Sequence, residues 1–258
     1  MPKTLVLFVF HVVNDRVKNF INNCIFKDPN VDFIVISNNK RNKFTVPDYV
    51  KVLLRDNIGF DFGGWSDALL TDNRYKNYEN FVFINSSTFG PFIPTYFKGN
   101  WTDIYINGLQ DNVKLFGSTI NTENGLIGVF DPALVSHVQT YVFSMDKTTL
   151  EYLIDCEIFS MTNYAITHMD AINKKEILMS RKIIENKWNI GSLYPDYKNV
   201  DFTFAEKKPS EYGINFFKGD IMFEKHRNKL WNEYELVFLK STRDIPMGLI
   251  SKIVDRRS

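Results

Sequence analysis

Arg55-Asp56-Asn57-Ile58-Gly59-Phe60-Asp61-Phe62-Gly63-Gly64-Trp65 joins a short apolar run to a helical pattern and carries three glycines within six positions. Glycine lets a backbone approach a ligand closely, and a turn that opens a helix presents free amide N–H groups. The same glycines also suit a tight turn packed under an aromatic ring. Before this turn, Val50–Leu54 reads as a strand; after it, a helix is expected from about Phe62 to Leu70. Further out, Leu5–Val13 is continuous and apolar, as a strand covered on both faces would be. Asp15 then signals a helix start, with Val17, Phe20, Ile21 and Cys24 at helical spacing. Val31–Ile36 is a second strand, stopped by Ser37-Asn38-Asn39, and Phe81–Ile84 is a fourth, ending at Asn85. Strand–helix–strand–strand–helix–strand predicts an α/β fold with a mainly parallel sheet flanked by helices.

The second half is less regular. Val113–Ser118, Val138–Met145 and Asn189–Leu193 read as strands, Lys147–Ile154 and Lys174–Lys187 as helices, and Glu235–Lys240 as strand-like. No repeat or linker interrupts the chain, so one domain over 1–258 is expected, with halves of about 1–95 and 96–258. In an open sheet, ligands bind beyond the carboxyl ends of the strands. That directs attention to His11, Ser37–Asn39, Arg55–Asp61 and Asn85–Ser87.

Composition excludes several classes. Apolar residues make up 44% and charged residues 24% of the 258, which excludes a disordered chain. Lys+Arg is 31 against Asp+Glu 30, so no electrostatic footprint for nucleic acid exists. Two cysteines, Cys24 and Cys156, make neither a disulfide framework nor a zinc cluster and suit a reducing compartment. No apolar run approaches a membrane span, and Leu5–Val13 is read as a buried strand rather than a signal peptide. A cytoplasmic location is the expectation. The glycosylation triplets at Asn85 and Asn100 are then accidents of an Asn-rich chain. The four histidines lack the i, i+4 spacing of a helical zinc site, and the Gly-x-x-x-x-Gly-Lys-Ser/Thr loop is absent.

A second constellation is Phe83-Ile84-Asn85-Ser86-Ser87-Thr88-Phe89-Gly90-Pro91-Phe92, a buried strand running into small hydrogen-bonding side chains. Asn85 and Ser87 either cap a turn or reach a phosphate or a metal's water shell. Taken together, the two segments resemble the nucleotide-binding half of GT-A glycosyltransferases, in which an Asn-x-Gly turn precedes an Asp-x-Asp motif; the resemblance implies the GT-A fold, a Rossmann-like α/β domain with a mixed, mainly parallel sheet flanked by helices. The nearer resemblance is to rhamnan-synthesis-type and related viral and bacterial glycosyltransferases. Those pair Asn-x-Gly-x-Asp-Phe-Gly-x-Trp with Phe-x-Asn-x-Ser-x-x-Gly-Pro, here Asn57 to Trp65 and Phe83 to Pro91. The likeness covers about 4 to 95 well. It is weaker at His137-Val138-Gln139, at Glu176 to Arg181 opening a helix, and at Glu235 to Arg243.

The resemblance implies sugar transfer from a UDP- or GDP-type nucleotide-sugar donor to a glycan acceptor, with 1–95 holding the donor and 96–258 the acceptor. It implies nucleotide-sugar contacts from Phe10, His11, Val12, Asn39, Arg55, Asn57, Gly59, Asp61, Gly64 and Trp65. Asn85, Ser86 and Ser87, with His226 and Lys240, would face the diphosphate or a metal. Asn85 and Ser87 replace the usual carboxylates, and neutral ligands hold a hard divalent cation less firmly. Mn²⁺ or Mg²⁺ is therefore weakly bound or dispensable. In the latter case Arg55, Lys240, Arg243, His226 or Arg227 must stabilise the leaving diphosphate. Glu176 is the leading catalytic carboxylate, placed at a helix start, and His137 faces the sugar or acceptor. Asp103, Asp146 and Asp170 are alternatives to Glu176, and retention and inversion both stay open. A nucleotidyltransferase would show a basic Gly-rich signature after the first strand, where Phe10-His11-Val12-Val13-Asn14-Asp15 stands instead. The competing reading is a non-catalytic glycan- or nucleotide-binding domain with a GT-A-like fold.

Overall fold

Seven consecutive buried residues, Thr4–Phe10 (TLVLFVF), make the central strand β1. The architecture comes from a computed structural model that describes residues 3–125, 127–243, 245 and 247–252. β1 lies between β2 (Val31–Ser37) and β4 (Asn80–Asn85), parallel to both. β3 (Lys51–Leu54) extends the sheet beyond β2, also in parallel. The remaining strands are β5 (Val113–Gly117), β6 (Val142–Asp146) and β7 (Asn189–Ser192). Across the sheet the order is β7-β5-β6-β4-β1-β2-β3, with β6 antiparallel to both neighbours and every other pairing parallel. The expected mixed, mainly parallel α/β sheet with flanking helices is what forms, in one domain.

Two helices cover the first half. α1 (Asp15–Asn23) is capped by Asn14, whose side chain accepts the Val17 amide at 3.1 Å, so Asp15 sits in the first turn. α2 (Phe60–Leu70) starts two residues before the expected point, because Gly59 adopts a left-handed conformation (φ 74°) that ends the preceding turn. α2 carries almost no polar face and lies buried against β1 and β2. Trp65 is fully buried, edge-on to Phe62, Phe83 and Phe143. Its two neighbouring glycines are required by closeness: a Cβ on Gly63 would lie 2.0 Å from the Ile58 carbonyl oxygen, and one on Gly64 would lie 2.9 Å from Val9.

Four expected elements differ. The first strand stops at Phe10, because His11 and Val12 pass beyond the sheet edge and are exposed. The run 138–145 is broken: His137–Val138 pairs with Ile120–Asn121, residues 139–141 turn, and only Val142–Asp146 joins the main sheet. The helix expected from Lys174 begins at His168, capped by Thr167, and widens into a π-helical segment, Ala171–Ile177, before α5 (Leu178–Glu185); α3 (Trp101–Ile106) and α4 (Lys147–Asp155) precede it. In the tail, Glu233–Leu236 is a helical turn capped by Asn232, and only Leu239–Lys240 is extended. That two-residue strand pairs with Thr88–Phe89, and Ser241 donates from both its amide and its hydroxyl to the Ser87 carbonyl. The end of the chain is thereby tied to the loop that follows β4.

Candidate active site

The carboxyl ends of β1, β3 and β4 open into a cleft of about 440 Å³. His11, Asn57, Asp61, Asn85 and Ser87 line it, as their strand-end positions led us to expect. A second lobe of about 230 Å³ contains His137, Gln139 and Asp220. Ile172, Glu176, Lys240 and Arg243 line both lobes, so Glu176 and Lys240 stand at the junction. A larger cavity of about 580 Å³ lies between Asn22–Lys27 and Lys98–Trp101 and includes none of these strand-end residues.

Asp61 anchors the first lobe. Its Oδ2 accepts from the Asn85 amide at 3.0 Å, and Asn85 Oδ1 accepts the Ser87 N–H at 2.9 Å. Loss of water around the Asp61 carboxyl pushes its pKa up to about 6; the Asn85 hydrogen bond opposes this and the Glu176 charge adds to it. Two carboxyl groups thus act on each other across the cleft. Glu176 Oε1 accepts from the Thr140 amide at 3.3 Å. Because the helix begins at His168, Glu176 lies inside the π-helical segment and not at the helix start expected for it. A π-turn rotates the side chains that follow it and is frequent at functional sites. The other candidate carboxylates are occupied structurally. Asp103 and Asp170 close capping boxes, and Asp146 caps α4 and pairs with Lys114.

His137 donates from Nδ1 to the Val135 carbonyl at 2.8 Å when neutral, which leaves the lone pair on Nε2. Burial lowers its pKa, against the opposing pull of Glu176. Asp220 accepts from Arg243 at 2.7 Å and from Gln139 at 3.2 Å. Burial works against its ionisation, but Lys240 and Arg243 outweigh that and hold it below the usual carboxylate range. Arg243 is therefore already paired. Among the described residues, the Lys240 ammonium has no hydrogen bond or ion pair.

Other predicted residues are placed away from the cleft or beneath it. Arg55 is buried: Nε donates to Asp67 at 2.7 Å, Nη1 to Asn38 at 2.7 Å and Nη2 to the Ile58 carbonyl at 2.7 Å. Each of its three guanidinium nitrogens is engaged, tying the Asn-x-Gly turn to Asn38 and Asp67, so it is a brace and not a free diphosphate cation. Phe10, Gly64 and Trp65 are packed inside. Val12 is exposed and lines neither lobe, and Asn39 is half-buried, its carbonyl accepting from Ser37. Gly59 shapes the turn against Tyr164, and Ser86 accepts from Arg16 through its carbonyl. His226 packs edge-on against Phe217, outside both lobes. Arg227 is paired with Glu233.

A family model described as rhamnan synthesis protein F matches residues 33–254. The chain belongs to the rhamnan synthesis protein F family. At that coarse level it is glycosyltransferase-like, with a role in glycan synthesis. The matched span runs from β2 to beyond Arg243, so it includes every residue lining the two lobes except His11, and the weaker second half. No curated protein is significantly similar to the chain. Among the described residues no helix is long and apolar enough to cross a membrane, and no three His, Cys, Asp or Glu gather as a metal site.

Sequence reasoning missed Phe60, Thr140, Tyr141, His168 and Thr242, which also line the first lobe. Phe60 falls on a variable position of the motif. Thr140 and Tyr141 were hidden inside a supposed strand. His168 had one signal, the Thr167-x-x-Asp170 capping box before it.

Proposed function

We propose that the protein transfers a sugar, of the deoxyhexose class that the family's description suggests, from a nucleoside diphosphate donor to a glycan hydroxyl. The observation that carries this is the two-lobed cleft, in which Asp61, Asn85 and Ser87 face one side of the Glu176–Lys240 junction and His137 and Gln139 the other. In this reading the first lobe holds the donor, with the diphosphate beside Ser87 and Lys240. Lys240, whose ammonium makes no hydrogen bond or ion pair among the described residues, offsets charge that develops on the leaving diphosphate. Glu176, between the lobes, takes the proton of the acceptor hydroxyl. His137, with Nε2 free, accepts a hydrogen bond from the acceptor.

The site fits a divalent cation held only in part by protein. Asp61 is a desolvated carboxyl with a second carboxylate nearby, and such a pair favours a cation. Asp61, Asn85 and Ser87 would hold it, with the donor diphosphate completing the set. When bound, it would neutralise diphosphate charge. The GT-A assignment belongs to the same proposal and draws support from the mixed sheet and the strand-end cleft.

A thermal-shift panel of UDP, GDP, dTDP and CMP, each with and without Mn²⁺, tests the donor site. A ligand at a hundredfold excess over Kd should stabilise the fold by about 2.7 kcal/mol. Slow release of free sugar from the matching nucleotide-sugar tests catalysis. Binding without hydrolysis or transfer would favour a non-catalytic binding domain, and a flat panel would refute the donor site.

A further inference from the structure

Phe60 sits in a backbone conformation that its side chain does not favour. Its φ is +56°, directly after Gly59 at +74°. A bulky residue in the left-handed region is an outlier, and such strain persists only where surrounding structure imposes it. The imposing contacts are visible. Asn38 Nδ2 donates to the Phe60 carbonyl at 3.0 Å, and Arg55 holds the Ile58 carbonyl. Glycine or asparagine would form the same turn at lower cost.

The ring does not repay that strain through the core. Phe60 is half-buried and is not among the half-buried apolar residues packed against the core cluster. Its one aromatic contact is edge-on to His168, at 6.2 Å between centroids. Both rings line the first lobe of the cleft. His168 itself is exposed, and its imidazole makes no hydrogen bond among the described residues.

Topology indicates which part of a donor would meet them. Lys240 and Ser87 mark the diphosphate position, at the end of β4. The sheet continues from β4 to β1, β2 and β3. A nucleoside leading away from the diphosphate along this edge, opposite to the His137 lobe, passes the β3–α2 turn that carries Phe60. We infer that the Phe60 ring, braced edge-on by His168, is the platform on which the donor's nucleobase stacks. This rests on the donor-site reading above and adds the residue that recognises the base.

Calorimetric titration of the full chain in the presence of Mn²⁺ tests this, with UDP, GDP and inorganic pyrophosphate as probes. Phe60→Gly and Phe60→Asn both suit the backbone and remove the ring, so each should unfold at or above the wild-type temperature. Each should bind the preferred nucleoside diphosphate roughly tenfold more weakly, the range typical of base–aromatic stacking, and bind pyrophosphate unchanged. Phe60→Tyr should retain wild-type affinity. Unchanged nucleotide affinity in the Gly and Asn variants, or an equal loss for nucleotide and pyrophosphate, would overturn the inference and leave the donor site standing. Failure of the wild-type protein to bind any of the three would remove the donor site and the platform together.

Discussion

Asp61→Asn should make this protein more stable while disabling its site. The wild-type carboxyl has its pKa raised from the usual 3.8 to about 6, chiefly by loss of water and then by the charge of Glu176. A raised folded-state pKa means that folding favours the protonated acid, so the native state carries a penalty wherever Asp61 is ionised. Between about pH 4 and pH 6 the folded carboxyl keeps a proton that the unfolded one has lost, and stability falls as pH rises through this window. Above it the penalty is constant. The rise from 3.8 to about 6 corresponds to about 3 kcal/mol at pH 7.5, and to only about 1 kcal/mol at pH 4.5, where the native group is protonated. Asparagine carries no charge and can still accept from the Asn85 amide, so it escapes the penalty. Urea unfolding of wild type and variant, in EDTA at both pH values, reads the difference. The variant should gain about 3 kcal/mol at pH 7.5, or roughly 6 °C in melting temperature for a chain of this size, with most of the gain gone at pH 4.5. Nucleoside diphosphate binding with Mn²⁺ should be lost. A variant equal to or weaker than wild type at pH 7.5, or a gain that does not shrink on acidification, would refute the claim that the desolvated Asp61 carboxyl carries a net penalty when ionised.

Three further outcomes are expected. Glu176→Gln should bind nucleoside diphosphate with near wild-type affinity yet lose about 10² to 10⁴ in transfer rate; equal losses in binding and rate would count against a role as base. Lys240→Met should lower kcat about a hundredfold or more with the protein still folded, as removal of a charge-stabilising donor does elsewhere, and circular dichroism would check the fold. Arg55→Met should cost about 3 kcal/mol of stability in chemical denaturation, because it removes the ion pair of Asp67, which keeps only the Tyr164 hydroxyl, and frees the Ile58 carbonyl; a change within 0.5 kcal/mol, as for an ordinary surface substitution, would show that the brace is unnecessary.

The first half of the fold was legible because each element there is local and strongly patterned. Thr4–Phe10 and Val31–Ser37 are apolar runs of strand length, and the Asn-x-Gly turn punctuates strand and helix. The strand-end rule then found His11, Asn57, Asp61, Asn85 and Ser87 without any knowledge of the second half. Arg55 shows the limit of that rule. Its position at a strand end was read correctly, but three acceptors from Asn38, Ile58 and Asp67 converge on it, and spacing does not reveal convergence. Gly64 and Trp65 show the same limit: a motif retains packing residues as firmly as contact residues, and both of these pack. The break between His137–Val138 and Val142–Asp146 escaped notice because Val138 to Met145 is apolar enough to be one strand. What separates the pieces is pairing with different partners, Ile120–Asn121 and β4 with β5.

The 55–65 turn brings no basic side chain to the lining of the cleft. Arg55 is the only basic residue in the 55–65 turn, and each of its three guanidinium nitrogens is engaged in bracing it. The charge at the junction is supplied from far along the chain instead, by Lys240 on a two-residue strand. That strand reaches the site because Leu239–Lys240 pairs with Thr88–Phe89 and Ser241 bonds the Ser87 carbonyl. Two ladder residues are a weak hold, but Leu239 and Phe89 are fully buried behind them, and burial supplies most of what such a short pairing lacks. The loop bearing Ser87 and the strand bearing Lys240 therefore form one unit. Leu239→Ala should both destabilise the fold by about 2 to 5 kcal/mol and weaken nucleoside diphosphate binding at temperatures where the protein remains folded. Loss of stability with unaltered binding would show that the two segments are held independently.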